Sequence, residues 1–319
     1  MRIFLTFDVE IWCDGWNDLD NRFASCFERY VYGRSTKGDF ALPKTLEILG
    51  RNGLSGVFFI EPLFAARFGI KYLATIVDMI RAGGHDLQLH LHPEWTDEIR
   101  PLLFPGATEK RQLLSYYTVE EQTILISLGR DLLGQAGCES ICAFRAGSFA
   151  ANHDTYRSLH GLGIAFDSSM HAVLPISGPD LRATFDICHP FELEEVQVFP
   201  MTIFEDGLRR PRPAQVGSCS FAEMREAIES AAVNGCEHFV ILSHNFEMLK
   251  RGRSKPDPIV VDRFEQLCSF LGRQRDRYEV ATFSSTPGLL RNPARRPLAR
   301  TGFTPTFRRY AEQAVRRLY

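Results

Sequence analysis

Two short segments of this chain end in paired side chains able to hold a cation or to move protons. The first is Thr6-Phe7-Asp8-Val9-Glu10, at the end of a run that starts Ile3-Phe4-Leu5; the second is Gln88-Leu89-His90-Leu91-His92, stopped by Pro93. On a β-strand alternate residues share a face. Thr6, Asp8 and Glu10 then stand opposite Ile3, Leu5, Phe7 and Val9, and Gln88, His90 and His92 stand opposite Leu87, Leu89 and Leu91. A catalytic metal keeps three protein ligands and one position for water, whose pKa it lowers, and two such strand ends can supply that set. The plainer alternative pairs the acids with basic neighbours and buries the histidines with satisfied hydrogen bonds. Four such groups in two matched pairs weigh against it, because burying several acids without a cation is costly.

Strands must carry these pairs, and the rest of the chain reads accordingly. Apolar runs rich in β-branched and aromatic residues predict strands at 2–9, 54–60, 86–92, 140–145, 163–167, 194–199, 237–243 and 278–283. Helical periodicity fills 42–50, 71–82, 119–135, 152–162, 221–234 and 260–274 between them. Ser220 to Glu223 fits a capping box, and Gly235 closes that helix. The alternation predicts an α/β fold with a mostly parallel sheet, a (β/α) barrel in preference to an open doubly wound sheet. In either, active sites lie at the carboxyl ends of the strands. Segments 11–40 and 97–118 fit no element and are read as covers over the site.

At 319 residues, 45% hydrophobic and 24% charged, the chain can bury one large core. We expect a barrel over 1–290 and a basic tail over 291–319, docked as a helix. The net charge of −2 provides no field for nucleic acid. The tail interleaves Arg295, Arg296, Arg300, Arg308, Arg309, Arg316 and Arg317 with Phe303, Phe307, Tyr310, Val315 and Tyr319, which suits peripheral contact with an anionic membrane. Eight scattered cysteines without a CxxC pair read as reduced thiols; Cys138 and Cys142, four apart, read as packing. The opening run meets Asp8 too early for a secretory signal, and no run of about eighteen apolar residues exists. The expected location is the cytoplasm, with the inner membrane face open through the tail.

Five segments in order over 1–285 give a more specific reading. Thr6-Phe7-Asp8-Val9-Glu10, His90-Leu91-His92-Pro93 after Gly84-His85-Asp86, Phe144-Arg145-Ala146-Gly147-Ser148-Phe149, Phe166-Asp167-Ser168-Ser169 and Leu242-Ser243-His244 resemble the five motifs of the polysaccharide deacetylase superfamily, carbohydrate esterase family 4. The resemblance implies a distorted (β/α) barrel and a metal-dependent hydrolase that removes N-acetyl groups from an amino sugar. By position, Asp8 would be the general base, His244 the general acid and Arg145 the group that orients Asp8, with Asp167 supporting the site or pairing with Arg145. Glu10, His90 and His92 would hold a divalent metal, with zinc expected. The family's second motif usually spaces its histidines as His-x-x-x-His-Pro, so counting from His90 selects Glu94, whereas matching the proline selects His92. Strand geometry favours His92. Gly147 stands where the third motif usually has proline, and the Ser148 backbone N–H would help hold the oxyanion. Trp12, Trp16 and Trp95 flank the motifs and are read as sugar-stacking platforms. The substrate would be an N-acylated glycan, at an assembly stage if the enzyme is cytoplasmic. The rival readings are an amidohydrolase of a non-sugar C–N bond and an impaired glycan-binding scaffold.

Overall fold

The computed structural model describes residues 1–104, 106, 109–250, 255–288 and 295–318. In chain order run β1 (Arg2–Val9), α1 (Leu19–Phe27), α2 (Leu42–Arg51), β2 (Val57–Ile60), α3 (Ile70–Ala82), β3 (Asp86–Leu91), α4 (Val119–Gln135), β4 (Ala143–Ala146), α5 (His153–Gly161), β5 (Phe166–Asp167), β6 (Val196–Val198), α6 (Phe221–Val233), β7 (His238–His244), α7 (Pro258–Arg273), β8 (Glu279–Val280) and α8 (Phe303–Leu318), with shorter turns and strands between them. The chain divides into two compact units, one of residues 1–56, 202–282 and 295–319, the other of 57–201 and 283–294.

In the first unit β1 pairs in parallel with β7 over its length and with β8 at its start. Residues Ile3 to Val9 are all buried, so β1 is covered on both faces, as strands of parallel sheets are. Only its carboxyl end can therefore offer polar groups to a ligand. Asp257 accepts hydrogen bonds from the Ile259 and Val260 N–H groups and Pro258 takes the first helical position, an ordinary start for α7. The Ser220 hydroxyl caps α6 through the Glu223 N–H, but the reciprocal half of the expected capping box does not form. The Glu223 carboxylate is turned instead to Arg309, 3.0 Å away, and to the Thr306 hydroxyl. Gly235 follows α6 with φ of 76°, the left-handed position that the sequence assigned to it.

The second unit runs β2–β3–β4–β5–β6 in parallel register, Leu89 opposite Phe144 and His90 opposite Arg145. An antiparallel strand, Phe191–Leu193, hairpins onto β6 through Glu194 and Glu195, whose φ values of 50° and 61° make the two-residue turn. Thr118 and Glu121 form a full capping box on α4, as Asn152 and Thr155 do on α5. Asp86 at the start of β3 accepts from the Phe283 and Ser284 N–H groups and from the Ser284 hydroxyl, tying that segment into this unit.

The segment 11–40 is not an irregular cover. It folds as α1 and a wider turn over Glu28–Tyr32, followed by a small hairpin. Leu19, Phe23, Cys26, Phe27 and Val31 are buried at helical spacing, a pattern masked in the sequence by turn formers such as Asp14, Gly15 and Asp18. Within the tail, Phe303–Leu318 forms a helix docked on the first unit, and the boundary placed at 290/291 lies outside the described residues.

Arg309 anchors that helix from a fully buried position. Its guanidinium contacts Asp206 at 2.7 Å and Glu223 at 3.0 Å, all three side chains being 3% exposed or less. Removing one member of a buried ion pair leaves its partners charged and unsolvated, which costs about 3–5 kcal/mol. Arg309→Ala is therefore expected to lower unfolding free energy in urea by about that amount; an undiminished midpoint would show that the triad is not stabilising α8.

Candidate active site

The first unit brings Asp8, Glu10 and His244 together. The β1–β7 register sets Asp8 beside His244, and ligand-capable atoms of the three lie within 4.8 Å of one another. Glu10 follows the strand, and its backbone is fixed by Asn245: the Asn245 Oδ1 accepts from the Glu10 N–H at 3.0 Å, while Nδ2 donates to the carbonyls of Glu10 and Tyr30. The Trp12 indole N–H donates to Glu10 Oε2 at 2.7 Å. Trp12 is thus an orienter of the carboxylate, and Trp16 lies half-buried in the same segment.

His244 Nδ1 donates to Glu247 Oε2 at 2.7 Å. Gly217 makes room for that carboxylate, since a Cβ there would sit 1.7 Å from Glu247 Oε1. Burial alone would pull the imidazole pKa down. The hydrogen bond and charge of Glu247, with the charges of Glu10 and Asp8, override it and raise the pKa to about 9. The imidazole is thereby held in its protonated form above the ordinary histidine range, and Nε2 is the nitrogen not engaged by Glu247.

The second unit holds His90 and His92 with ring centroids 4.8 Å apart. His90 Nδ1 lies 2.7 Å from the Arg145 carbonyl, an acceptor only, so Nδ1 carries the proton and Nε2 is the nitrogen it can offer. His92 Nδ1 faces Glu94 Oε2 at 3.1 Å, which sets the same tautomer. Metal-binding histidines are commonly oriented by a carbonyl or carboxylate on the other nitrogen. Glu94 stands here as such a partner of His92. A Cβ at Gly147 would lie 2.6 Å from His92 Nδ1, so the imidazole occupies space that only glycine leaves open.

Arg145 is wholly buried, donating to the Ser168 carbonyl and hydroxyl and lying 4.3 Å from the Phe59 ring centroid. Asp167 accepts from Tyr156 Oη at 3.0 Å and from the Ser169 N–H and hydroxyl, and Ser169 in turn accepts from the Ala146 N–H. Asp167 is thus both a turn former and a brace for the end of β4. Burial raises its pKa to about 6 against the pull of those hydrogen bonds. Beyond β4, Ser148 and Phe149 take φ of 54° and 57°, consecutive left-handed positions that cost strain in non-glycine residues and are frequent beside functional sites. Ser148 is exposed. Trp95 corrects the stacking expectation: it is 2% exposed, edge-on to Phe64 and Phe68, and so presents no face to a sugar.

Four supporting residues were not read from the sequence. Asn245 and Glu247 lie one and three residues after His244, and polar residues just past an apolar strand are the signal that could have found them. Glu61 similarly ends the apolar run of β2. It is 1% exposed, with Oε1 accepting from the Leu63 N–H and Oε2 unpartnered among the described residues; burial is the main cause of its pKa rising to about 8. His171 packs on Phe149 at 5.0 Å with its pKa lowered by burial to about 4.

No family model matches the sequence, and no curated protein matches it. Among solved structures, the chain is similar to the "putative polysaccharide deacetylase from Mycobacterium smegmatis", with 17% identity, a TM-score of 0.55, and coverage of 92% of this chain and 94% of that one. It also matches the family 4 carbohydrate esterase from Streptomyces lividans at 11% identity and a TM-score of 0.44, covering 91% and 98%. A third match is the peptidoglycan deacetylase PdaC from Bacillus subtilis at 11% and 0.37, covering 99% and 95%. The first of these likenesses defines the class: the fold is the α/β fold of the polysaccharide deacetylases.

The raised His244 pKa has a sign that can be checked. The Glu247 interaction stabilises the fold fully below about pH 6.5 and fades as pH rises through about 9. NMR titration of the metal-free protein is expected to give a His244 midpoint near 9. Glu247→Gln should lower that midpoint, because it removes the charge that raises it most. An ordinary midpoint in the unaltered protein would contradict this electrostatic account.

Proposed function

We propose that the protein is a metal-dependent N-deacylase acting on an amino sugar of a polysaccharide or glycan precursor. One observation supports the reading: buried Asp8 lies in register beside His244, whose pKa is raised to about 9 by its surroundings, and we assign Asp8 as the base and His244 as the acid. Hydrolysis of an amide needs both, because water must lose a proton and the nitrogen leaves poorly as an anion.

Glu10, His90 and His92 are assigned to one divalent ion. The donor chemistry fits, since each imidazole has its Nδ1 engaged by an acceptor and Glu10 is oriented by Trp12. A carboxylate with two imidazoles is a ligand set suited to zinc. When bound, such an ion supplies a Lewis acid for the acyl carbonyl and for the attacking water. Asp8 accepts the proton of that water, and His244 returns a proton to the nitrogen as the C–N bond breaks, yielding the carboxylate and a free amine. Arg145 is assigned to orient the base and Asp167 to brace the Ala146 end of β4. The Ser148 N–H is assigned to the oxyanion; these roles rest on the motif resemblance. Trp12 and Trp16 remain near enough to the strand end in sequence to border a sugar.

All eight cysteines are unpaired thiols, which supports a reducing compartment. No helix among the described residues is long and apolar enough to cross a membrane. We therefore place the enzyme in the cytoplasm, on an assembly-stage glycan, with residues 1–290 as the catalytic barrel.

Acetate release from N-acetylated glycans and sugar nucleotides tests the activity. Asp8→Asn is expected to lower turnover by about 10²–10⁴-fold, the usual contribution of a general base, while zinc still binds. Near-normal release would remove Asp8 from the role, and release only from non-sugar amides would move the substrate class. By calorimetry, His92→Ala should weaken zinc binding at least about tenfold, and Gly147→Ala, which evicts the same ring, should do likewise. Glu94→Ala should weaken it about 10–100-fold through the lost orienting bond. Unchanged affinity in His92→Ala with loss only in Glu94→Ala would make Glu94 the ligand.

A further inference from the structure

Helix α8 is docked the wrong way round for an ordinary surface helix. Its inner face is polar and charged: Thr306 and Arg309 are buried, Glu312 meets Arg263, and Arg316 meets Asp257. Its outer face carries Phe303, Phe307, Ala311, Val315 and Leu318, the apolar stripe of a 3.6-residue repeat. Phe303 is 61% exposed, Phe307 63%, Val315 43% and Leu318 80%. An apolar stripe is normally what docks a helix, so something other than packing on this unit holds it outward. The buried Arg309 triad is that restraint.

The neighbouring turn adds to the same surface. Gly207 lies against the backbone of Gly302 and Phe303 closely enough that a Cβ would overlap them, and Arg210 donates to Tyr310 Oη. Leu208 on that turn is 39% exposed. Around the apolar stripe stand exposed Arg209, Arg210, Arg300, Arg308 and Arg317, against the partly covered carboxylates of Glu205, Glu226 and Glu312. The rim is therefore net positive.

We propose that this face is a docking surface for an anionic lipid bilayer, with the phenylalanines and Leu318 entering the headgroup boundary and the arginines on lipid phosphates. The charge decides between occupants. A second copy meeting the same face about a two-fold axis would set arginine rim against arginine rim, whereas an anionic leaflet complements them. A stripe of aromatic and aliphatic side chains flanked by arginine is the pattern of helices that lie in the membrane interface. The inference is independent of the deacylase reading and needs none of its residues.

The test is co-sedimentation of the full chain with vesicles of phosphatidylglycerol and phosphatidylcholine in equal parts, beside vesicles of phosphatidylcholine alone. Binding is expected to the anionic vesicles, at least about tenfold weaker to the neutral ones, and reduced by high salt. The double variant Phe303→Ser, Phe307→Ser alters only exposed side chains; it should fold, as checked by its thermal melt, and lose at least about tenfold in affinity. No binding to anionic vesicles, or equal binding by the folded double variant, overturns the proposal. So does a dimer in sedimentation equilibrium that the double variant abolishes while vesicles bind nothing.

Discussion

A charge buried without a partner costs several kcal/mol, and the placement of partners for buried charge organises both units. In the first, Asn245 fixes the Glu10 backbone, Trp12 fixes the Glu10 carboxylate, and Glu247 fixes and charges His244. In the second, the Arg145 carbonyl and the Glu94 carboxylate orient the rings of His90 and His92. The C-terminal helix obeys the same rule at a distance from this chemistry, held by Arg309 between two carboxylates.

Strand burial explains why the ionisable groups gather where they do. β1 is covered on both faces from Ile3 to Val9, and β2, β4 and β5 are buried throughout. Polar side chains are affordable there only with a full set of hydrogen bonds, and they collect at the carboxyl ends, where the chain leaves the sheet. The segment after β4 shows the strain this produces. Ser148 and Phe149 take left-handed conformations just beyond Ala146, whose N–H ends a chain of bonds running from Tyr156 through Asp167 and Ser169. Rigid support of that kind is what keeps a strained loop in one conformation.

The strands and helices that carry these groups were legible because their apolar periodicity is local. β1 coincides with its expected span, and the helices over 42–50, 71–82 and 119–135 lie within one residue of theirs. Strand ends were less legible: the spans expected at 54–60 and 278–283 shrink to Val57–Ile60 and Glu279–Val280, since hydrogen-bond register, invisible in one sequence, sets where pairing stops. The hairpin at Glu194-Glu195 was missed because its left-handed residues are not the Asn or Gly that announce such turns. The positions of Asp8, Glu10, His90 and His92 at or just beyond strand ends were readable from alternation, but the partners that hydrogen-bond them were not. The bond from Trp12 to Glu10 and the contact of Glu94 with His92 were not readable, because both depend on the path of the chain beyond the strand end. Trp95 was misread for a plainer reason: large aromatics beside a motif are more often core.

The two departures from the motifs that the sequence resembles involve neighbouring side chains. A histidine two residues beyond His90, in place of four, swings its ring from the strand end toward the start of the segment that follows β4. A proline at 147 would fill that space with its ring, and even an alanine would set a Cβ 2.6 Å from His92 Nδ1. Glycine leaves the volume open, and Glu94, two residues further on, supplies the acceptor that fixes the ring there. Read singly, a shortened histidine spacing and a lost proline each look like erosion of a site. Taken together with the Glu94 carboxylate, they describe one packed arrangement in which the position of the His92 imidazole depends on Gly147 and Glu94.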